Sequence, residues 1–308
     1  MITTYLLAMP HGITLHCRAA GNAGRPTLVF LHGFPEAAFV WDATLAHFAA
    51  QGFRCIAPNL RGFERSSSPA DASQYRSKHL VQDIAALIAL EGGPQIECLV
   101  AHDWGGAVAW NLAASQPQLI QKLAIINSPH PGTFLRELQH SPAQQAASAY
   151  MNFLIRPDAE KLLAEDDFRR LFEFFMPFST VQGANSDSLG PRKPSRTRPP
   201  WLTDAVKAQY RDVWQRGLTG PLNFYRASPL RPGPEIAKLV IPRALLDVQL
   251  RTLVMWGLGD IALPPGLLDR LDAFVPRMEL QRIEGATHWI IHEQPALVAQ
   301  HLQRFLAS

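Results

Sequence analysis

The sequence has few features that would tie it to a metal, a membrane or an oxidising compartment. It contains only three cysteines, Cys17, Cys55 and Cys98, and none of them forms a C-x-x-C pair. Such sparse, widely spaced cysteines predict reduced core thiols in a cytoplasmic protein, with no metal site. No apolar stretch approaches the roughly 20 residues that a helix needs to cross a bilayer. The first ten residues also lack the basic head and apolar run of a secretory signal.

An excess of charge of one sign is also missing. The chain carries 29 Lys and Arg against 26 Asp and Glu, which gives a formal net charge of +3. The basic run at 192–198 lies in a Gly/Ser/Pro-rich stretch without interleaved aromatic residues, which is typical of a solvated loop. We therefore expect neither nucleic acid nor membrane as a partner.

What the sequence does contain is a regular alternation of buried strands and amphipathic helices. The run at 26–31 is almost continuously apolar, which suits a strand buried on both faces. Further strands are predicted at 53–58, 96–101 and 123–126, with helices at 41–50, 79–91, 104–116 and 294–307. This order predicts an α/β fold with a mostly parallel sheet and helices on both of its faces. Ahead of it, 2–9 and 12–19 predict a hairpin around Pro10-His11-Gly12.

The alternation stops near Ser128-Pro129 and resumes at the apolar run 250–256. Between them the chain has helical patches at 142–154, 157–175 and 201–217, a polar loop at 179–200 and no convincing strand. With 308 residues there is room for one large core and an insertion. We therefore predict a core formed by 1–129 and 233–308, and a helical cap formed by 130–232.

One turn of the predicted core has the form of a nucleophile elbow. Asp103 follows a buried strand and precedes a helix, and small residues flank it at Ala101 and Gly105. A sharp strand-to-helix turn needs small flanking residues because it leaves no room for larger side chains. An ordinary Asp that caps a helix would give a similar local pattern. The carboxylate at this position is a candidate nucleophile, kept ionised by the helix N-terminus.

Two further polar residues follow later core strands. Asp260 comes after the strand that ends at Trp256-Gly257, and His288 follows the strand predicted at 277–283. Nucleophile, acid and histidine is the chain order of hydrolases with a nucleophile elbow, and all three residues lie past the carboxyl ends of strands. Asn127, past the intervening strand, cannot serve as a carboxylate. We therefore predict a triad of Asp103, His288 and Asp260.

A His-Gly turn after the first long core strand completes the predicted site. It runs from His32 to Glu36. In this position the backbone N–H groups of Phe34 and Trp104 would form an oxyanion hole.

These motifs together carry a family resemblance. The chain resembles the epoxide hydrolase branch of the α/β-hydrolase fold superfamily nearly from end to end. The matching motifs are His32-Gly33-Phe34-Pro35-Glu36, Arg61-Gly62-Phe63, His102-Asp103-Trp104-Gly105-Gly106, Trp256-Gly257-x-x-Asp260 and His288. Glu64 departs from the family pattern, which often has a small residue at that position, and this leaves the chemistry untouched.

The resemblance implies two tyrosines in the cap that hydrogen-bond the epoxide oxygen. The stretch Gly220 to Arg226 resembles the family's motif and assigns this role to Tyr225. The second family tyrosine precedes a proline by seven residues, which Tyr150 and Pro157 satisfy. Packing of the cap on the core is the alternative role for both residues.

The choice of Asp at the elbow points to a class of substrate. Attack of a carboxylate on an sp3 carbon gives an ester that water can cleave, whereas attack by Ser would give a stable ether. An epoxide oxygen leaves as a basic alkoxide and needs a proton donor such as Tyr, whereas a halide needs only N–H donors. We expect an epoxide hydrolase that acts on a small-molecule epoxide and water without a cofactor, as a monomer or homodimer.

Other functions stay open at this point. The first alternative is a haloalkane dehalogenase, which needs a second halide donor where Phe34 offers only a ring. A haloacid dehalogenase of this fold resembles a pattern with Arg beside the nucleophile, where this chain has Trp104. A non-catalytic ligand-binding protein would not need Asp260 to orient His288.

Overall fold

A computed structural model describes residues 1–176 and 198–308, together with the backbone of Phe178–Ser179 and Lys193–Pro194. One sheet of eight strands forms its centre. These strands are β1 (Thr3–Ala8), β2 (Thr14–Ala20), β3 (Thr27–Leu31), β4 (Arg54–Pro58), β5 (Ile96–His102), β6 (Ile120–Ile126), β9 (Arg251–Gly257) and β10 (Met278–Ile283). Their order across the sheet is β1-β2-β4-β3-β5-β6-β9-β10. β1 and β2 pair antiparallel with each other, as do β2 and β4, and every other pair in this sheet is parallel. The predicted mostly parallel sheet is confirmed.

Helices cover both faces of this sheet. They are α1 (Asp42–Ala50), α2 (Ser77–Leu87), α3 (Trp104–Ser115), α10 (Ile290–Glu293) and α11 (Pro295–Ala307). Leu28 and Phe30 of β3 are buried in a cluster with α1 and α11, while Val29 and Leu31 are buried in the cluster that contains α2 and α3. Successive strand residues point to opposite faces, so a strand covered on both faces must be apolar throughout. This explains the uninterrupted apolar runs.

The segment between β6 and β9 is mainly helical. It contains α4 (Pro131–His140), α5 (Pro142–Ala147), α6 (Tyr150–Leu154), α7 (Ala159–Glu173), α8 (Asp204–Trp214) and α9 (Thr219–Ala227). We call residues 130–232 the cap segment. Within the described residues, no helix of the chain is long and apolar enough to span a membrane.

Two details of the cap segment differ from the sequence expectation. The expected absence of strands is wrong, because β7 (Phe178–Ser179) pairs antiparallel with β8 (Lys193–Pro194). Strands of two residues carry no periodic pattern that a sequence could reveal. The helix predicted at 157–175 is broken, since Asp166, Asp167 and Phe168 have left-handed backbone angles inside α7. Asp tolerates this region because its short side chain bonds locally. The predicted loop at 179–200 lies largely outside the described residues.

Candidate active site

Asp103 occupies the turn between β5 and α3 with an unusual backbone conformation. Its φ is 50° and its ψ is −122°, and its side chain makes no cap hydrogen bond to α3. Asp103 thus stands at the N-cap position of α3 without capping the helix through its side chain. Positive φ at a residue other than Gly costs on the order of 1–3 kcal/mol and persists only where the surroundings hold it. Here Ser128 Oγ donates to the Asp103 carbonyl oxygen at 2.6 Å.

Glycines bring the neighbouring backbone very close to this turn. A Cβ atom on Gly33 would lie 2.3 Å from Cβ of Asp103, and one on Gly105 would lie 2.6 Å from the Leu31 carbonyl oxygen. Only a residue without a side chain fits at these distances. The Asp103 side chain therefore packs directly against the backbone of the loop that follows β3.

Phe34, on that loop, contacts the carboxylate directly. Its backbone N–H donates to Asp103 Oδ1 at 2.7 Å. No hydrogen bond from the Trp104 N–H to Asp103 is seen among the described residues. The structure therefore brings one of the two predicted oxyanion donors to the carboxylate, and places the other at the first residue of α3.

His288 lies between the two carboxylates that the sequence paired with it. Its Nδ1 is 2.6 Å from Asp260 Oδ2 and its Nε2 is 3.6 Å from Asp103 Oδ2. Because Asp260 accepts a hydrogen bond from Nδ1, Nε2 is the ring nitrogen that faces Asp103. The two oxygens of Asp103 thus have different neighbours, with Oδ1 on Phe34 and Oδ2 toward His288.

Asp260 is held rigidly behind the histidine. It is buried, and its Oδ1 accepts the backbone N–H groups of Ala262 and Leu263 at 2.9 Å each. Asn127 Nδ2 donates to Asp260 Oδ2 at 2.8 Å, and Asn127 Oδ1 accepts the Gly257 N–H at 3.0 Å. From the sequence, Asn127 is excluded as the acid and has no further predicted role. Its amide instead fixes the acid that is present.

The charges of this trio shift the pKa values of two of its members. Burial alone lowers the pKa of His288, but the negative charges of Asp260 and Asp103 raise it well above 6.5. Burial alone raises the pKa of Asp103, but the His288 imidazole and the Phe34 N–H outweigh it and hold that pKa below its ordinary value. In the free protein the pair therefore favours a carboxylate facing an imidazolium.

Removing the Asp103 charge is expected to lower the pKa of His288. Asp103→Asn keeps a carbonyl oxygen for the Phe34 N–H but removes one of the two charges that stabilise the imidazolium. We expect the pKa of His288 to fall because one of the two negative charges that raise it is gone, and NMR titration of the imidazole C–H signals measures this change. His130, whose pKa burial lowers to about 4, is the internal control because its charged neighbours are Arg243 and Asp247. An unchanged His288 titration would contradict the coupling.

The two predicted tyrosines come from separate helices of the cap segment, α6 and α9, and their rings lie close to each other. The Tyr150 and Tyr225 ring centroids are 6.2 Å apart. The Tyr225 ring packs edge-on against Phe34 at 5.2 Å and Trp104 at 5.1 Å, the residues whose backbone flanks the carboxylate. Burial raises the pKa of both tyrosines, and the Asp103 charge raises each of them further. Tyr225 therefore lies beside the two residues that flank Asp103, and Tyr150 lies against Tyr225.

Sequence reasoning missed a buried polar network behind this site. Glu36 is fully buried and lies 3.1 Å from His102 Nδ1, 2.5 Å from His292 Nε2 and 3.1 Å from the Tyr210 hydroxyl. His102 Nε2 in turn lies 2.9 Å from the His288 carbonyl oxygen. Glu36 and His102 stand in motifs that the sequence singled out. No local pattern, however, indicates their pairing with residues so distant along the chain.

Comparison with known proteins identifies the family. Residues 26–295 match the family described as the alpha/beta hydrolase fold. The chain belongs to the α/β-hydrolase fold family. The fold class predicted from the sequence is thereby confirmed.

This α/β-hydrolase is similar over almost its whole length to proteins of several organisms. It is 33% identical to the AB hydrolase superfamily protein YfhM of Bacillus subtilis, over 97% of this chain and 96% of that protein. It is 30% identical to epoxide hydrolase 2 of Caenorhabditis elegans, over 96% of this chain and 77% of that protein. A crystal structure of Bacillus megaterium epoxide hydrolase with an inhibitor superposes with a TM-score of 0.85 at 26% identity, covering 99% of this chain and 100% of that one. The resemblance to epoxide hydrolases is confirmed.

Proposed function

We propose that this enzyme opens epoxides to vicinal diols through an ester on Asp103. The observation that carries the proposal is a carboxylate at the turn between β5 and α3, with the buried Tyr225 packed on the two residues that flank it and the half-buried Tyr150 against Tyr225. A carboxylate nucleophile suits an sp3 carbon, and tyrosine hydroxyls suit a leaving alkoxide. Relatives named epoxide hydrolases, at 30% identity and below, support the same activity.

The first step forms the ester. Oδ2 of Asp103 lies 3.6 Å from His288 Nε2 without a hydrogen-bond donor as close as the one on Oδ1, which accepts the Phe34 N–H at 2.7 Å. Oδ2 therefore attacks an epoxide carbon, the carbon–oxygen bond of the ring breaks, and the leaving oxygen takes a proton from Tyr150 or Tyr225. Oδ1 becomes the carbonyl oxygen of the ester.

The second step releases the diol. His288 Nε2 removes a proton from a water molecule, whose oxygen attacks the ester carbonyl carbon of Asp103. Negative charge then develops on Oδ1, where the Phe34 N–H stabilises it, and the Trp104 N–H is the second predicted donor. Collapse of this intermediate breaks the bond between the ester carbonyl carbon and the substrate oxygen, which takes the proton from the His288 imidazolium and leaves as the diol. The second proton of the water returns to the tyrosine that donated in the first step, and the Asp103 carboxylate is restored. Asp260 holds Nδ1 and stabilises the imidazolium as it forms.

Ester formation also prepares the base for its task. The negative charge of Asp103 contributes to the raised pKa of His288 in the free enzyme. Alkylation makes Asp103 neutral, so the pKa of His288 falls and the imidazole loses its proton more readily. His288 is thus converted to the form that accepts a proton at the point where the mechanism needs it.

The cap segment contributes the proton donors. Tyr150 lies on α6 and Tyr225 on α9, so both come from residues 130–232. We propose that this segment is a cap on a core formed by 1–129 and 233–308. A cytoplasmic location, suggested by three free buried cysteines, stays a prediction.

A turnover in isotopically heavy water tests the proposal. With enzyme in excess over styrene oxide in H₂¹⁸O, the first diol should contain only light oxygen, and the heavy oxygen should enter Asp103. Water attacks the ester carbonyl and not the epoxide carbon, which is the reason for this labelling. Peptide mass spectrometry should locate a gain of one heavy oxygen on the peptide that contains Asp103.

Two controls accompany this labelling test. Asp103→Asn should form no diol in the same assay. Heavy oxygen in the first diol would mean direct attack of water and would overturn the ester mechanism. If bromoalkanes released bromide while styrene oxide gave no diol, the haloalkane dehalogenase alternative would replace the proposal.

A further inference from the structure

Helix α8 of the cap segment contacts the loop that carries the Phe34 N–H. Trp214 Nε1 donates to the Pro35 carbonyl oxygen at 2.7 Å, and the Tyr210 hydroxyl donates to Glu36 Oε1 at 3.1 Å. Both donors are buried. The two residues that follow Phe34 are therefore each hydrogen-bonded to the same helix, one through the backbone and one through the side chain.

Glu36 is the point where this contact joins the rest of the site. Its carboxylate faces His102 and His292 as well as Tyr210, and it is fully buried. Burial alone raises the pKa of Glu36, but His292 and His102 outweigh it and lower that pKa far below its ordinary value. A buried carboxylate with several partners holds its loop in place, because loss of any partner leaves a charge poorly compensated.

The network also reaches the nucleophile strand and the base. His102 immediately precedes Asp103, and its Nε2 is 2.9 Å from the His288 carbonyl oxygen. Glu36 thus connects the loop that carries the Phe34 N–H, the strand β5 that precedes Asp103, and the segment that carries His288. Tyr210 is its link to the cap segment.

We propose that Tyr210 and Trp214 are positioning residues for the oxyanion hole, acting through Glu36 and Pro35. This inference rests on the proposed two-step mechanism. Docking of α8 fixes the Phe34 N–H at the position where it stabilises charge on Asp103 Oδ1. The cap segment therefore contributes to ester hydrolysis as well as to ring opening.

The two chemical steps depend on this N–H in opposite directions. During ring opening, negative charge leaves the carboxylate, so a weaker hydrogen bond to Oδ1 leaves attack unchanged or slightly faster. During ester hydrolysis, negative charge returns to Oδ1, so a displaced N–H slows the step. A loss confined to the second step is the signature of this positioning role.

Tyr210→Phe and Trp214→Phe test the inference by separating the steps. Each variant is mixed rapidly with excess styrene oxide and quenched at intervals, and mass spectrometry measures the alkyl-enzyme while chromatography measures the diol. We expect the rate constant of ester formation to stay within about twofold of wild type. The rate constant of ester hydrolysis should fall about tenfold, so that the alkyl-enzyme becomes the main form during turnover.

Tyr75→Phe is the matched control for removal of a buried, hydrogen-bonded hydroxyl. The Tyr75 hydroxyl donates to the Pro69 carbonyl oxygen at 2.9 Å, and in the described part of the chain no hydrogen bond joins it to the loop that carries Phe34 or to α8. This variant should keep both rate constants. Melting curves establish that each variant is folded. Because Tyr210→Phe and Trp214→Phe remove different hydrogen bonds, a single folded variant of the two is enough to test the positioning role.

The remaining outcomes distinguish the inference from the mechanism on which it rests. If wild-type enzyme forms the alkyl-enzyme and the α8 variants hydrolyse it at the wild-type rate, the positioning role is refuted. Equal slowing of both steps in the α8 variants would assign them a purely structural role and refute it as well. If the wild-type enzyme forms diol without any alkyl-enzyme in heavy-oxygen labelling and quenching, the proposed mechanism itself fails.

Discussion

His288→Ala is expected to accumulate the ester intermediate on Asp103. In the proposed mechanism Asp103 and the cap tyrosines carry out ring opening without the imidazole, so the variant should still consume one epoxide per active site. Ester hydrolysis loses its general base and should slow by a factor of about 100 to 10,000. Intact-protein mass spectrometry after incubation with styrene oxide should show a mass gain of one substrate.

Two further variants make this result specific. Asp103→Asn combined with His288→Ala should give no adduct, because the nucleophile is absent. His301→Ala removes a histidine on α11, away from the site, and should turn over normally. A His288→Ala variant that turned over at the wild-type rate without an adduct would remove His288 from the mechanism. Asp260→Asn should be milder, since the base itself remains.

Replacing both cap tyrosines should nearly abolish ring opening. Each single variant, Tyr150→Phe or Tyr225→Phe, keeps one proton donor and should lose activity only partly. The double variant leaves the alkoxide without a donor and should lose about 1,000-fold or more in kcat/KM. A hydroxyl contributes most as the alkoxide develops, so kcat should fall together with kcat/KM. Rapid quenching with styrene oxide should detect slow formation of the alkyl-enzyme.

Phe keeps the ring contacts of both tyrosines, which separates chemistry from packing. The contacts of Tyr225 with Phe34 and Trp104 should survive the substitution, and so should the melting temperature. Tyr75→Phe again serves as the control for the loss of a buried hydroxyl. If the double variant hydrolysed styrene oxide normally, both tyrosines would be packing residues, and bromide release from bromoalkanes would become the next assay.

Much of this fold could be predicted because the burial of each strand and helix shows in its own stretch of sequence. A strand covered on both faces must be apolar where it is buried, so β3 and residues 98–101 of β5 are visible as apolar runs. Asp103, Asp260 and His288 could be proposed together since the carboxyl ends of parallel strands meet at one edge of a sheet. Their order along the chain then indicates which of them is the nucleophile, the acid and the histidine.

The polar network could not be predicted for the converse reason. Glu36 and His292 are 256 positions apart, and their contact depends on how two loops pack around the end of the sheet. The kink within α7 depends on three consecutive left-handed residues that an amphipathic pattern does not reveal. Tyr150 was proposed from a spacing to Pro157 in a family resemblance, because its own neighbours offer no motif.

The close approach of Gly33 to Asp103 constrains how this enzyme can diversify. Any side chain at position 33 must displace Asp103. A substitution there should therefore abolish activity, whatever substrate is offered. Phe174, whose ring lies against both Phe34 and Tyr150, has no such backbone constraint. Directed evolution of substrate range should therefore recover changes in the cap segment and few in the glycines below it.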